Sequence, residues 1–300
     1  MMKRREFIQT AVRFGAVAAV FPRIPLQANA ARPDLVVIKN GDPKRLFAEA
    51  MKQLGGMNRF VSKGDVVVIK PNMSWDRVPE QAATTNPELV VEAVKACLDA
   101  GAKKVKIFDH TLNAPQRCYK RSGIEAAAES AGADVFHVHE RKFKKTRFPD
   151  GVLIKSWELY EDVLEADKVI NMPIAKHHSI GGVSLGMKNL MGFLGGNRGR
   201  FHRDFHQKIV DLNSRVRPDI TILDAYRMLV RNGPSGGRLE DVALTKTLIA
   251  GPDPIAVDAY GVTLFGETPE SKPFLTIGHE RGLGQIDLDQ VRTQTVSLPS

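Results

Sequence analysis

Two cysteines in 300 residues, Cys97 and Cys118, form no CxxC pair. Cys97 shares helical spacing with Val90 and Val94, which suits a buried thiol, although in an oxidising compartment the two could bridge. No GxGxxG follows the first apolar run and no GxxxxGK[ST] occurs anywhere, so neither a dinucleotide fingerprint nor a P-loop supports nucleotide binding. HExxH is missing as well, and no internal repeat or low-complexity tract stands out. Near the N-terminus, Arg13, Pro22 and Arg23 interrupt the apolar stretch well short of the roughly 20 residues a spanning helix requires.

What the N-terminus does contain is Lys3-Arg4-Arg5-Glu6-Phe7-Ile8, a paired-arginine start that resembles the twin-arginine export motif. A short apolar run from Phe14 to Phe21 follows, and Ala28-Asn29-Ala30 supplies small residues for signal-peptidase cleavage after Ala30. Residues 1–30 are therefore expected to be an export signal and residues 31–300 one domain, working in the periplasm or outside the cell. Losing five basic residues and one acidic one with the signal lowers the formal charge from +9 to +5. The remaining excess suits a small anionic ligand, and export argues against nucleic acid as partner. The Tat translocase is the expected partner during export.

Along the remaining chain, β-branched apolar runs alternate with helical patterns, which predicts an α/β fold: a largely parallel or mixed sheet with helices on both faces. Strands are expected at Val36–Ile38, Val66–Ile69, Val105–Phe108, Val135–Val138, Val169–Ile170, Ile220–Leu223 and Thr247–Ile249. Helices are expected over 43–54, from Asn86-Pro87 to Gly101, and over 124–131, 201–214 and 254–264. Between 176 and 199 the chain is unusual, with seven glycines interleaved with lysines, histidines, Asn189 and Arg198.

In open α/β sheets ligands bind beyond the carboxyl ends of strands. Four such ends are polar here: Lys70-Pro71-Asn72, Asp109-His110, the stretch from Asn171 through Lys176-His177-His178, and Asp224-Ala225. A solvated strand end explains any one of them alone. Together, Lys70, Lys176, Lys188 and Arg198 would compensate a carboxylate or phosphate, and these three lysines are expected to converge on one cavity. Asn72, Asn171 and Asn189 supply polar contacts, while His177 and Asp258 are the further candidates for chemistry. His202 and His206, four residues apart on the expected helix, would present both imidazoles to one side. With His178 and Asp224 they could complete a divalent-metal site, whereas histidines bonded to backbone carbonyls are the alternative. Asp258 lies among apolar neighbours and needs a partner, expected to be a site lysine or Asn189.

The stretches Val68-Ile69-Lys70-Pro71-Asn72, Asn171 to His178, Gly186-Met187-Lys188-Asn189-Leu190-Met191-Gly192, His206 to Asp211, and Asp253-Pro254-Ile255-Ala256-Val257-Asp258-Ala259 together resemble the DUF362 family. The resemblance covers nearly all of the chain after the signal and implies no assigned activity. Many relatives carry an added ferredoxin-like module and are associated with iron–sulfur clusters, which implies a redox partner. Two cysteines cannot supply the usual four thiolates, so an intrinsic cluster is not expected here. Two functions follow: an exported enzyme of redox or metal-assisted chemistry acting on a small anion, or a non-catalytic binding protein for an anion or metal complex.

Overall fold

The expected alternation of strand and helix is present in the computed structural model, which describes residues 32–299. The expected export signal, residues 1–30, lies outside the described residues. In chain order the elements are β1 (Leu35–Lys39), α1 (Pro43–Leu54), β2 (Val66–Pro71), α2 (Pro87–Asp99), β3 (Lys104–Ile107), α3 (Pro115–Arg121) and α4 (Ile124–Ser130). They continue with β4 (Asp134–Val135), β5 (Phe143–Arg147), β6 (Ser156–Tyr160), α5 (Glu161–Glu165), β7 (Lys168–Met172), β8 (Ile174–His178), β9 (Gly182–Ser184) and α6 (Gly186–Asn189). The chain ends with α7 (Phe205–Arg215), β10 (Ile220–Leu229), β11 (Val242–Gly251), α8 (Pro254–Thr263), α9 (Pro273–Glu280) and β12 (Thr293–Ser297).

Ten strands form one mixed sheet in the order β12-β1-β11-β10-β7-β2-β3-β4, with β8 added on β10 and β9 on β8. From β10 through β7, β2 and β3 to β4 the pairing is parallel, and β11 runs antiparallel to both β10 and β1. A separate hairpin joins β5 and β6. The sequence reason for the parallel block is that Val67-Val68-Ile69 is apolar at consecutive positions, as a strand covered on both faces must be. Val36, Ile38, Val67 and Ile69 face one core with the apolar sides of α1, α2 and α4, whereas Leu35, Val37 and Val68 face a second core with α7, α8 and α9. The period of two therefore fastens both layers to one sheet, and Ile69→Ala would cost about 2–5 kcal/mol.

Local signals set the helix ends as expected. The Asn86 side chain accepts from the Glu88 N–H at 3.0 Å with Pro87 in the first turn, and Asp253 accepts from the Ile255 and Ala256 N–H groups ahead of α8. Elsewhere the sheet is larger than the sequence pattern indicates. The strands β5, β6, β8, β9 and β12 and the helices α3, α5, α6 and α9 go beyond the sequence expectation, and β4 is only two residues long. The helix expected from Phe201 begins at Phe205, because Asp204 takes a left-handed conformation (φ 55°) that separates it from a 3₁₀ turn at Arg198–His202. Both cysteines are buried and free, Cys97 on the core-facing side of α2, where burial pushes its thiol up to about 12.

Candidate functional site

The parallel strands β2, β3 and β7 end side by side, and their polar ends build the floor of a cleft. Lys70, wholly buried at the end of β2, places its Nζ 2.9 Å from Asp109 Oδ1 and donates to the Pro71 carbonyl at 2.6 Å. Asp109 Oδ2 accepts from the Met73 N–H at 2.8 Å and the Ser74 hydroxyl at 3.0 Å. Burial pushes the Asp109 carboxyl up, but the Lys70 ammonium and these donors outweigh it and hold it below the usual carboxylate range. Gly192 lies over this pair, and any side chain there would collide with the Asp109 carboxylate and the Lys70 stem. This close approach gives one glycine of the Gly-rich segment its physical reason.

Beside the ion pair runs a chain of amides. Lys176 Nζ donates to Asn72 Oδ1 at 3.1 Å and to the Ala83 carbonyl at 2.7 Å. Asn72 donates to Asn189 Oδ1 at 3.0 Å, and Asn189 donates to the Lys70 carbonyl and to Asn171 Oδ1, both at 2.9 Å. Asn171 in turn donates to the Gly186 carbonyl at 2.9 Å. The two ends of each of these three amides are engaged, so their orientations are fixed. Four residues distant in sequence are thereby locked to one another.

The wall of the cleft comes from the Gly-rich segment. Pro173 has no N–H to give, β7 ends at Met172, and β8 continues alongside β10. Alternation along β8 then turns Lys176 and His178 toward the cleft and His177 away from it. After β9, the short helix α6 carries Lys188 and Asn189, and the 3₁₀ turn supplies Arg198 and His202. The resulting cavity encloses about 80 Å³ and is lined by Asn72, Lys176, His178, Lys188, Arg198 and His202 among others, with no carboxylate. That volume holds roughly half a dozen waters, or one small organic or inorganic anion.

Hydrogen bonds set the wall's protonation states. His178 Nδ1 accepts from the Ile180 and Gly181 N–H groups at 3.1 and 3.3 Å, which leaves the proton on Nε2. Burial, then the nearby Lys188 and Lys176 ammoniums, push its pKa down to about 2, so this ring is a neutral donor. His202 Nδ1 lies 3.2 Å from the Arg198 carbonyl, which requires its proton on Nδ1 and leaves a lone pair on Nε2. The two rings stack at 6.4 Å between centroids, and Phe205 continues the column at 5.8 Å from His202. Arg198 is fixed by the His110 and Thr111 carbonyls at 2.6 and 2.8 Å. Lys188 differs from its neighbours: its Nζ sits 5.8 Å above the Phe205 ring and has no hydrogen-bond or ion-pair partner among the described residues. Burial, then Arg198, lower its pKa to about 8. Lys176, held by burial and by Lys188, stands well below the usual lysine range.

Lys176, Lys188, Arg198, Asn72 and Asn189 thus share one cavity with His178 and His202, and Lys70 lies beneath its floor rather than in it. Several expected placements are corrected. His177 accepts from the Gly233 N–H at 3.2 Å on the other side of β8. His206, beyond the break at Asp204, stacks on Phe274 at 6.1 Å and does not line the cavity. Asp224 is spent on the Asn86 and Tyr226 N–H groups, at 2.8 and 2.9 Å. The grouping of His178, His202, His206 and Asp224 around a metal is therefore not formed, and no set of three or more His, Cys, Asp or Glu among the described residues is arranged to hold one. Asp258 finds neither a lysine nor Asn189: it accepts from the Gly186 and Met187 N–H groups at 2.7 and 2.8 Å, pinning the start of α6. Burial raises its pKa to about 7. Asn171 stands behind the wall as a link in the amide chain.

Residues not singled out from sequence include Ser74, Ser184 and Trp75, which line the cavity, while Phe205, expected in the apolar row of its helix, backs Lys188. Asp109, one of the four polar strand ends, carries no sequence signal that it is the counter-ion of Lys70. Ser184 had no signal at all, because the β8–β9 hairpin that carries it reads as a loop.

With the site described, comparison with known proteins adds three findings. The model of a family described as "Domain of unknown function (DUF362)" matches residues 67–263. A thylakoid-associated protein of Synechocystis sp. is 26% identical over 242 residues, 78% of this chain and 73% of that protein. Among solved structures, the lactate racemase apoprotein from Thermoanaerobacterium thermosaccharolyticum superposes with a TM-score of 0.46 and 12% identity, over 72% of this chain and 54% of that one. The chain thus spans little more than half of that structure.

Proposed function

This chain belongs to the DUF362 family, and from that premise we propose that it binds a small anion in the cavity walled by Lys176, Lys188 and Arg198. One observation carries the reading: three basic side chains line one cavity without a carboxylate, and Lys188 has no partner among the described residues. A sequestered cation without a counter-ion is costly, and a ligand bearing negative charge relieves that cost on arrival. The same arrival draws a proton back onto Lys176 and Lys188, both of which burial has made easy to deprotonate. Arg198, with two N–H groups spent on backbone carbonyls, keeps further donors for a carboxylate or phosphate oxygen.

The paired imidazoles favour an enzyme over a passive binder. His178 offers a hydrogen-bond donor at Nε2 while His202 offers a lone pair at its own Nε2, an arrangement suited to holding a ligand oxygen while a proton is taken from the ligand. Two imidazoles alone fall short of the three or four ligands of ordinary divalent sites, so the anion reading is preferred to resident metal. The paired arginines further support export by the twin-arginine route to the periplasm or beyond.

A thermal-shift series with phosphate, sulfate, acetate and pyruvate, set against neutral compounds of equal size, tests the binding. Stabilisation by one class of anion, with none from the neutral set, is expected; equal or absent shifts throughout would remove the reading. Export is tested by fractionating cells that carry Arg4→Lys with Arg5→Lys, which should retain the precursor inside.

A further inference from the structure

We propose that Lys188 is a covalent nucleophile that forms an imine with a small carbonyl-bearing carboxylate, a 2-oxo acid, held in the cavity by Arg198 and Lys176. The proposal rests on the anion reading of the cavity and goes beyond it by naming the ligand class and the bond made to it.

Two buried lysines and a part-buried one stand near one another, and their surroundings assign them different work. Lys70 is neutralised by Asp109 at 2.9 Å and closed off beneath Gly192. Lys176 is tied to Asn72 and the Ala83 carbonyl, and its side chain is almost wholly enclosed. Lys188 alone lines the open space with its nitrogen unengaged, backed by the face of Phe205. A nucleophilic lysine needs a neutral amine near physiological pH, and an apolar backing with neighbouring cations supplies that. Both are present, and the amine's pKa is accordingly lowered to about 8. Arg198 remains as a cation for a carboxylate, with Lys176 as a further hydrogen-bond donor beside it, so a small ligand that carries both a carbonyl and a carboxylate suits the wall and the 80 Å³ of space.

The step balances without an oxidant or a metal. The Lys188 nitrogen lone pair attacks the carbonyl carbon, a C–N bond forms, and the π pair moves to oxygen, which takes up a proton. The nitrogen gives up its two protons in turn, a second proton reaches the new hydroxyl, the C–O bond breaks, and water leaves, so that amine and carbonyl become imine and water. The His178 Nε2–H is the hydrogen-bond donor available to the carbonyl oxygen, and the His202 Nε2 lone pair is the acceptor available to the nitrogen's proton.

The test incubates the purified protein with pyruvate and cyanoborohydride and maps the trapped adduct by peptide mass spectrometry. One adduct per chain on Lys188 is expected, absent from Lys188→Arg and Lys188→Gln variants that circular dichroism shows to be folded. The trapping rate should rise with pH and level off near 8, whereas ordinary surface lysines continue to gain reactivity to much higher pH. An adduct on Lys176, or spread over surface lysines, would overturn the assignment. Propionate, which has the carboxylate but no carbonyl, separates the two ideas in parallel calorimetry. If propionate binds and pyruvate leaves no adduct on Lys188, the imine fails while the anion site stands; if neither binds nor reacts, both fail.

Discussion

The floor and the wall of this cavity are built from the same residue types with opposite accounting. On the floor each polar group is matched within the protein: Lys70 has Asp109, Asp109 has two further donors, and the amides of Asn72, Asn171 and Asn189 are each engaged at both ends. On the wall the balance is left open. Among the described residues Lys188 has no partner, Arg198 retains donors, and His178 and His202 each present one unengaged ring nitrogen of opposite character. A matched set holds positions, and an unmatched set awaits a ligand. Substitutions on the floor should therefore be felt first in stability, those on the wall first in binding.

The largest effect is expected at the floor. Asp109→Ala leaves the Lys70 ammonium buried without a counter-ion and should cost about 3–5 kcal/mol in urea unfolding. A loss below about 1 kcal/mol would show that the floor is not what holds these strand ends together. Next comes Asp258→Asn behind the wall, which weakens the double acceptor at the start of α6 and should cost about 1–3 kcal/mol.

That substitution also has a pH signature. The folded protein keeps a proton on Asp258 up to about pH 7, whereas an unfolded aspartate releases it near 3.8. Between those values the native state binds more protons, so this group's contribution makes stability decline as pH rises. In Asp258→Asn that part of the decline should vanish from urea midpoints measured between about pH 4 and 7. A smaller effect is expected in binding. Lys188 is charged below its pKa of about 8, so anion affinity should fall as pH climbs through that value. The bound anion favours the charged form, hence the drop moves to higher pH as ligand concentration is raised, readable in a titration at several pH values.

Much of this arrangement was legible in the sequence because strand ends in an α/β sheet gather at one edge. Lys70, Asn72, Lys176, Lys188, Asn189 and Arg198 could be grouped on that rule although they span more than a hundred positions. The division of labour among them was not legible, since sequence does not show that Asp109 neutralises Lys70 while none of the described residues neutralises Lys188. Strand β8 was hidden because Ala-Lys-His-His is polar, and only the cavity beside it makes a buried lysine tolerable there. The hairpin β5–β6 escaped notice for a similar reason, its first strand being Phe-Lys-Lys-Thr-Arg with mostly exposed side chains. His206 was misplaced by one backbone dihedral: the left-handed Asp204 cuts a helix that residue spacing had drawn as continuous.

The central claim, that the wall is an anion receptor organised around an unmatched Lys188, is tested most directly by isothermal titration of wild type and Lys188→Gln. The titrant is the anion that gives the largest thermal shift, and unfolding of the unliganded proteins is measured in parallel. The account predicts a loss in affinity of about tenfold to a hundredfold, the worth of a charged hydrogen bond, with stability unchanged or slightly raised. Equal affinity in the two proteins, or a Lys188→Gln variant that loses stability as Asp109→Ala does, would contradict it.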